Sequence, residues 1–174
     1  VNLCPTKLSA ENLKREGVLG DIHQVGNTIL DTLVDYKGDT SYGHQILITL
    51  HRTENLNLLP KWFDAINIIA ARYIDLEFVY PIHPNPTISQ HSKKLKNVKL
   101  IKPLEHSDFL KILKDCRFAI SDSGGIQEEG SFLNKKIVVC RKTTERPEGI
   151  DTGHLILCGD PSKLEKTVEM VVDN

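Results

Sequence analysis

From about residue 44 the chain alternates between two hydrophobic patterns. Short apolar, β-rich runs occur at Gln45–Leu50, Leu76–Tyr80, Val98–Ile101, Phe118–Ser121, Ile137–Cys140 and Leu155–Leu157. Between them apolar residues recur at helical spacing: Leu59, Trp62, Phe63, Ile66, Ile69 and Ala70 in one stretch, then Phe109, Leu110, Ile112 and Leu113, then Leu164, Val168, Val171 and Val172. Ser107-Asp108 and Asp160-Pro161-Ser162 supply start signals for the last two helices. Short apolar strands, each followed by a helix, predict a parallel sheet covered on both faces. The expected fold class is α/β, a doubly wound Rossmann-like domain over 44–174.

The first forty residues follow a different pattern. Leu3–Thr6 reads as a strand and Ser9–Glu16 as a helix starting at Ser9, after which Gly26-Asn27-Thr28 introduces the apolar Ile29, Leu30 and Leu33. Asp35 to Gly43 is polar, contains Gly38 and Gly43 and has no period, so it is a linker candidate. The chain opens without a methionine on Val1-Asn2-Leu3-Cys4, as if a strand were already under way, and it is expected to be a fragment of a longer polypeptide.

Composition narrows the picture little. The 174 residues are 40% hydrophobic and 26% charged, as in an ordinary soluble globular protein, with a net charge of −1 that gives no bulk preference for nucleic acid. The lysines at 93, 94, 96, 99 and 102 read as a solvated surface. Cys4, Cys116, Cys140 and Cys158 are far apart and lack a C-x-x-C pair; they read as small buried hydrophobes in a reducing cytoplasm, not as a disulfide framework or zinc site. No apolar run is long enough to span a membrane, and no signal peptide stands out.

Candidate chemistry collects after the predicted strands. Ligands of open parallel sheets bind beyond the carboxyl ends of the strands, and four of these ends are rich in reactive groups. They are His51-Arg52-Thr53-Glu54-Asn55, Pro81-Ile82-His83-Pro84-Asn85-Pro86, the stretch SDSGGIQEEG from Ser121 to Gly130, and Arg141 through Gly149. Any one has a structural explanation: His51 as a cap, His83 as filler of a rigid turn, Glu128 and Glu129 as partners of a helix dipole, Arg146 and Glu148 as ordinary loop charges. Their convergence on one sheet edge argues for a site. Gly124 and Gly125 lack Cβ, so a phosphate can approach the backbone N–H groups of a helix start, with the Ser123 hydroxyl as a further donor. A carboxylate one turn further in can accept from the vicinal hydroxyls of a ribose. The ligand read from these residues is a nucleoside diphosphate with an unmodified ribose, with Arg52, His83 and Arg146 adding donors or charge. Neither G-x-G-x-x-G nor a Walker A sequence is present, which counts against NAD and against a P-loop NTPase.

The stretches LITLHRTEN, VYPIHPNP, SDSGGIQEEG and TTERPEGI, in this order and spacing, resemble the non-hydrolysing UDP-N-acetylglucosamine 2-epimerase family. CPT, AENLKREG and VGNTILDTL near the start resemble the segment joining that family's two domains. The resemblance implies one half of a glycosyltransferase-B-like two-domain fold, with 1–43 as the last strand and helix of an N-terminal domain plus linker and 44–174 as the UDP-binding domain. It further implies interconversion of UDP-GlcNAc and UDP-ManNAc for cell-surface polysaccharide synthesis, by elimination of UDP to 2-acetamidoglucal and re-addition. The resemblance also implies that neither NAD nor a metal is required, and a homodimer is expected of the full-length protein. His83, Ser123, Gly124, Gly125, Glu129 and Arg146 then hold UDP, with Glu129 on the ribose. His51, as the catalytic group, and Arg52 face the reacting sugar and leaving phosphate, and Arg52 and His83 also border an activating UDP-GlcNAc site. Glu128 is left to the helix dipole or a supporting contact.

Thr53 stands where the family motif has a second Arg, and Pro84 is another departure. The acidic residues that move the sugar C2 proton belong to the family's N-terminal domain, so this chain alone is expected to bind UDP weakly and not to epimerise. A UDP-sugar glycosyltransferase C-terminal half and a stand-alone UDP-sugar-binding module are the alternative expectations.

Overall fold

A computed structural model describes residues 1–36, 38 and 42–173; of the predicted linker Asp35 to Gly43, Lys37, Asp39, Thr40 and Ser41 lie outside the described residues. The chain divides into two compact units, Val1–Lys37 and Gly38–Asn174.

In the first unit β1 (Asn2–Cys4) pairs in parallel with β2 (Ile22–Gln24), and α1 (Lys7–Arg15) lies between them in sequence. The helix begins at Lys7, ahead of the predicted Ser9. Thr6 is its N-cap: the Thr6 Oγ1 accepts from the Ser9 N–H at 3.1 Å, satisfying an amide that the first turn leaves unpaired. Ile29, Leu30 and Leu33 lie in a run of 3₁₀ turns, Thr28–Tyr36, begun where Asn27 Oδ1 accepts from the Ile29 N–H at 3.2 Å.

The second unit holds β3 (Gln45–Thr49), β4 (Glu77–Pro81), β5 (Lys99–Ile101), β6 (Phe118–Ser121), β7 (Ile137–Val139) and β8 (Leu155–Leu157) in one six-stranded sheet, ordered β5-β4-β3-β6-β7-β8 and parallel throughout. The chain builds outward from β3 in one direction, returns, and builds outward from β6 in the other. Strand order therefore reverses between β3 and β6, where Thr49 lies in register with Ser121.

Alternation along the strands supplies both faces. Ile46, Ile48, Phe78, Tyr80, Phe118, Ile120 and Val138 share one buried cluster with Trp62, Phe63, Ile66 and Ile69 of α2 (Leu59–Arg72) and Leu164 and Val168 of α7 (Leu164–Val172). Leu47, Val79, Ala119, Ile137 and Val139 are buried on the opposite face, where α4 (His106–Asp115) packs on β3 and α5 (Gly124–Phe132) on β6 and β7. The doubly wound α/β expectation is the fold observed.

Element boundaries depart from the pattern where polar chemistry decides them. α3 (Pro86–Ser92) and α6 (Pro147–Asp151) begin at prolines, whose fixed φ suits a first helical position; Asn85 Oδ1 caps α3 through the Thr87 N–H at 2.9 Å. α4 starts at His106, before Ser107-Asp108, and Asp108 pairs instead with Lys111 at 2.8 Å. Asp160 does cap, accepting from the Ser162 N–H at 2.9 Å, but a 3₁₀ turn at Pro161–Lys163 precedes α7. The four cysteines are free and buried; burial raises the thiols of Cys140 and Cys158 and pushes that of Cys116 up to about 12, so they pack as neutral groups. No helix among the described residues is long and apolar enough to cross a membrane.

Candidate functional site

β3 and β6 end side by side at the reversal, and their loops are tied by one carboxylate. Asp122, fully buried, accepts from the His51 N–H at 3.1 Å and 3.2 Å, the Arg52 N–H at 3.0 Å and the Asn55 Nδ2 at 2.9 Å. Asn55 Nδ2 also donates to the Cys140 carbonyl at 2.9 Å, which adds the end of β7 to the same knot. Beneath it the Thr49 and Ser121 hydroxyls lie 2.7 Å apart, and Ser121 Oγ accepts from the Ser123 N–H at 3.0 Å. Several donors on one buried acid offset the loss of its hydration, so Asp122 serves to fix the backbone that carries His51 and Arg52.

α5 starts directly above this knot. Its cap residue Ser123 makes no side-chain capping bond, so the hydroxyl and the first amides of the helix are left for a ligand. Gly125 is exposed, and a Cβ built there would meet nothing closer than Ser123 Oγ at 4.0 Å. Gly124 is buried between two cations: a Cβ there would lie 3.2 Å from Arg146 Nη1 and 3.3 Å from Arg52 Nη2. Two guanidinium groups from different loops thus converge on one helix N-terminus. Like charges repel, so the arrangement favours an anion shared between them.

The two glutamates of SDSGGIQEEG are sorted by helix geometry. Glu128 stands one turn beyond Gly124, on the side facing the loop after β7, and its carboxylate pairs with Arg146 Nε at 2.6 Å. Glu129 stands one turn beyond Gly125; it is buried, and its Oε1 lies 2.8 Å from Nε2 of His106, the first residue of α4. Gln127 anchors the loop after β7 to α5: it accepts from Thr144 Oγ1 at 2.5 Å and donates to the Ser123 carbonyl at 3.2 Å. Arg141 grips Glu145 through both oxygens, at 2.9 and 3.0 Å, and lies 2.9 Å from Glu54 in the loop after β3. The Arg141 bonds hold the Glu145 carboxyl at about 2.

His51 and His83 stack with ring centroids 5.0 Å apart and planes 7° from parallel. His83 Nδ1 accepts from the Asn85 N–H at 3.1 Å, which places the ring proton of the neutral form on Nε2. Burial lowers the His83 pKa, and the charge of His51 lowers it further. Beside the pair lies a cleft of about 180 Å³, lined by Leu50, Tyr80, Leu104, Phe109 and Ile126 among others. A larger groove of about 620 Å³, between α2 and the loop after β8, contains none of the predicted site residues.

The structure therefore places His51, Arg52, His83, Ser123, Gly124, Gly125, Glu129 and Arg146 at the carboxyl edge of one sheet, and it brings Arg52 and Arg146 together at Gly124. Thr53 opens a 3₁₀ turn, Thr53–Asn55, and Pro84 sits in the turn closed by His83 and Asn85. Sequence reasoning assigned no role to Asp122, Asn55, Gln127 or His106. Asp122 carried a signal, an acid at the end of a strand with an apolar start, Phe118-Ala119-Ile120; His106 carried none, since its partner lies on another helix.

A family model described as UDP-N-acetylglucosamine 2-epimerase matches residues 1–174. The chain is 38% identical over 175 residues to the UDP-N-acetylglucosamine 2-epimerase of Bacillus subtilis, covering 91% of this chain and 46% of that protein. The structure of S. aureus MnaA with UDP superposes with a TM-score of 0.86 at 32% identity, over 98% of this chain and 51% of that one. The Neisseria meningitidis UDP-GlcNAc 2-epimerase bound to UDP-GlcNAc gives 0.85 at 31% identity, over 97% and 52%. The chain spans about half the length of these relatives and matches one half of their glycosyltransferase-B-like fold. With the whole chain matched by the family model, this protein belongs to the UDP-N-acetylglucosamine 2-epimerase family.

Proposed function

We propose that this chain is the nucleotide-holding part of an enzyme that interconverts UDP-GlcNAc and UDP-ManNAc, with 44–174 as its UDP-binding domain and 1–43 as the end of a preceding domain and its linker. The observation that carries the reading is the convergence of Arg52 and Arg146 on Gly124 at the start of α5. The diphosphate lies over the amides and hydroxyl of Ser123, Gly124 and Gly125, between the two guanidiniums. The ribose hydroxyls reach Glu129, and the uracil enters the apolar cleft of Leu104, Phe109 and Ile126. The relatives with UDP or UDP-GlcNAc bound support this choice of ligand.

The chemistry follows from where charge develops. When a base takes the sugar C2 proton, its electron pair forms the C1–C2 double bond. The C1–O pair then leaves on the β-phosphate of UDP. Two fixed cations and preorganised amides stabilise that oxygen more in the transition state than in the bound sugar nucleotide. His51, with its backbone held on Asp122 and its ring on His83, stands as the electrostatic partner or acid for the departing oxygen. Re-addition of UDP after the proton returns to the opposite face gives the epimer. The base belongs to the preceding domain, and Arg52 and His83 are also proposed to border an activating UDP-GlcNAc site.

Calorimetric titration with UDP and an NMR assay for UDP-ManNAc test this. The 174-residue chain is expected to bind UDP, to lose about tenfold or more in affinity on Arg146→Ala, as for a charged hydrogen bond of about 1.5–3 kcal/mol, and to form no UDP-ManNAc. The same chain preceded by its N-terminal domain is expected to form it. Sustained epimerisation by the 174-residue chain alone, or no binding of UDP, refutes the assignment.

A further inference from the structure

Glu129 presents an incomplete set of partners. Its side chain is 8% exposed, and the imidazole of His106 is the one side chain that bonds its carboxylate among the described residues. An ionised carboxylate only accepts, so His106 Nε2 is the donor to Oε1. A single donor leaves most of the acceptor capacity of a buried acid unused, at a place one helical turn from the open Gly125. A vicinal diol supplies two O–H donors of the right spacing. To accept both, the carboxylate must hold a fixed plane, and a glutamate has three side-chain torsions to restrain. His106 restrains them from another helix, while its own side chain remains 53% exposed at the rim.

We infer that His106 is a positioning residue: by holding Glu129 Oε1 it aims the carboxylate at the ribose 2′- and 3′-hydroxyls and so makes the site select ribonucleotides over 2′-deoxyribonucleotides. The inference rests on the reading above that Glu129 faces the ribose. Nothing else on α4 reaches Glu129 by a hydrogen bond among the described residues. The selectivity of this site therefore depends on a residue outside all four strand-end loops.

Titrations of UDP and 2′-deoxy-UDP into the wild-type chain, His106→Phe and His106→Gln separate this role from a merely structural one. Wild type is expected to prefer UDP. His106→Phe, which keeps a ring but lacks the donor, is expected to bind UDP about five- to tenfold more weakly and 2′-deoxy-UDP, which still offers the 3′-hydroxyl, by a clearly smaller factor. His106→Gln, which keeps an N–H, is expected to restore most of the preference, and His106→Phe is expected to add little to Glu129→Gln. Equal weakening of both ligands, no change in either, or tighter UDP binding by His106→Phe overturns the inference; the last would mean that the imidazole occupies the place of the ribose. Thermal melts identify a variant that has lost its fold; should His106→Phe be one, His106→Leu, which also lacks the donor, takes its place. Failure of wild type to bind UDP sinks the functional reading, whereas UDP binding that His106 variants do not discriminate overturns this inference only.

Discussion

A single carboxylate fixes the relative position of two of the four loops that carry the candidate chemistry. Asp122 joins the backbone of His51 and Arg52 to the start of α5, across 71 and 70 residues of chain. No local pattern reveals such a bond, because the partners are backbone amides far away in sequence. His51 and His83 were legible as residues of interest, but not as a stacked pair, since parallel strands bring their loops together only in the folded sheet. That pairing has a pH consequence. Burial, then the neighbouring His51, lowers the His83 pKa in the folded state, while Asp122 opposes them weakly. The unfolded chain takes up the proton first as pH falls, so the contribution of His83 to stability is complete above about pH 6.5 and is lost as pH drops through its depressed folded value. Thermal midpoints between pH 8 and pH 5 are expected to fall below about pH 6.5, and His83→Gln is expected to flatten part of that slope. An unchanged slope in the variant would assign the acid sensitivity to other groups.

At the scale of one element, α5 uses glycine for two different reasons. Gly124 makes room for cations, whereas Gly130 makes room for the core: a Cβ there would run into Ile137 Cδ1 and lie 2.9 Å from its Cγ1. Ile137 is fully buried in β7 and has nowhere to move. The same substitution should therefore have opposite readouts. Gly130→Ala is expected to destabilise the fold by about 1–3 kcal/mol through overpacking. Gly124→Ala meets only the flexible ends of Arg52 and Arg146, so stability is expected to stay within about 1 kcal/mol, the scale of the glycine-to-alanine helix preference. UDP affinity is expected to fall about tenfold as the guanidiniums are displaced. Urea denaturation and UDP titration on both variants check the contrast, and a Gly124→Ala protein that is unstable but binds normally would remove the ligand role of that glycine. Sequence marked the glycine pair at the start of α5 because two adjacent glycines at a strand end open the backbone to a ligand. Gly130 looked like any helix residue, since its reason lies in the methyl group of another strand. The strands themselves were legible, being apolar on both faces, while α3 and α6 were hidden by prolines that also suit turns.

For the second unit as a whole, the parallel sheet made the site predictable before any contact was known. Parallel strands with intervening helices must end on a common edge, so four chemistry-bearing loops had to converge even though the pattern could not give the strand order. The order β5-β4-β3-β6-β7-β8 adds the place of convergence, because the reversal between β3 and β6 leaves a crevice that no connection crosses. Hydrogen exchange with and without UDP tests that one ligand engages this edge as a unit. At about a hundred times its dissociation constant a ligand adds about 2.7 kcal/mol to native stability. Global openings slow accordingly everywhere in the unit, so the informative signal is the excess at sites that open locally. Excess protection is expected together in 51–55, 83–86, 123–129 and 144–149. It is not expected at the amino-terminal edge, where His44, Leu76 and Asn97 line a separate hollow. Protection confined to the glycine loop would reduce the site to a simple anion-binding helix end. Joint protection of the four loops is the response that a nucleotide held by base, ribose and diphosphate must produce.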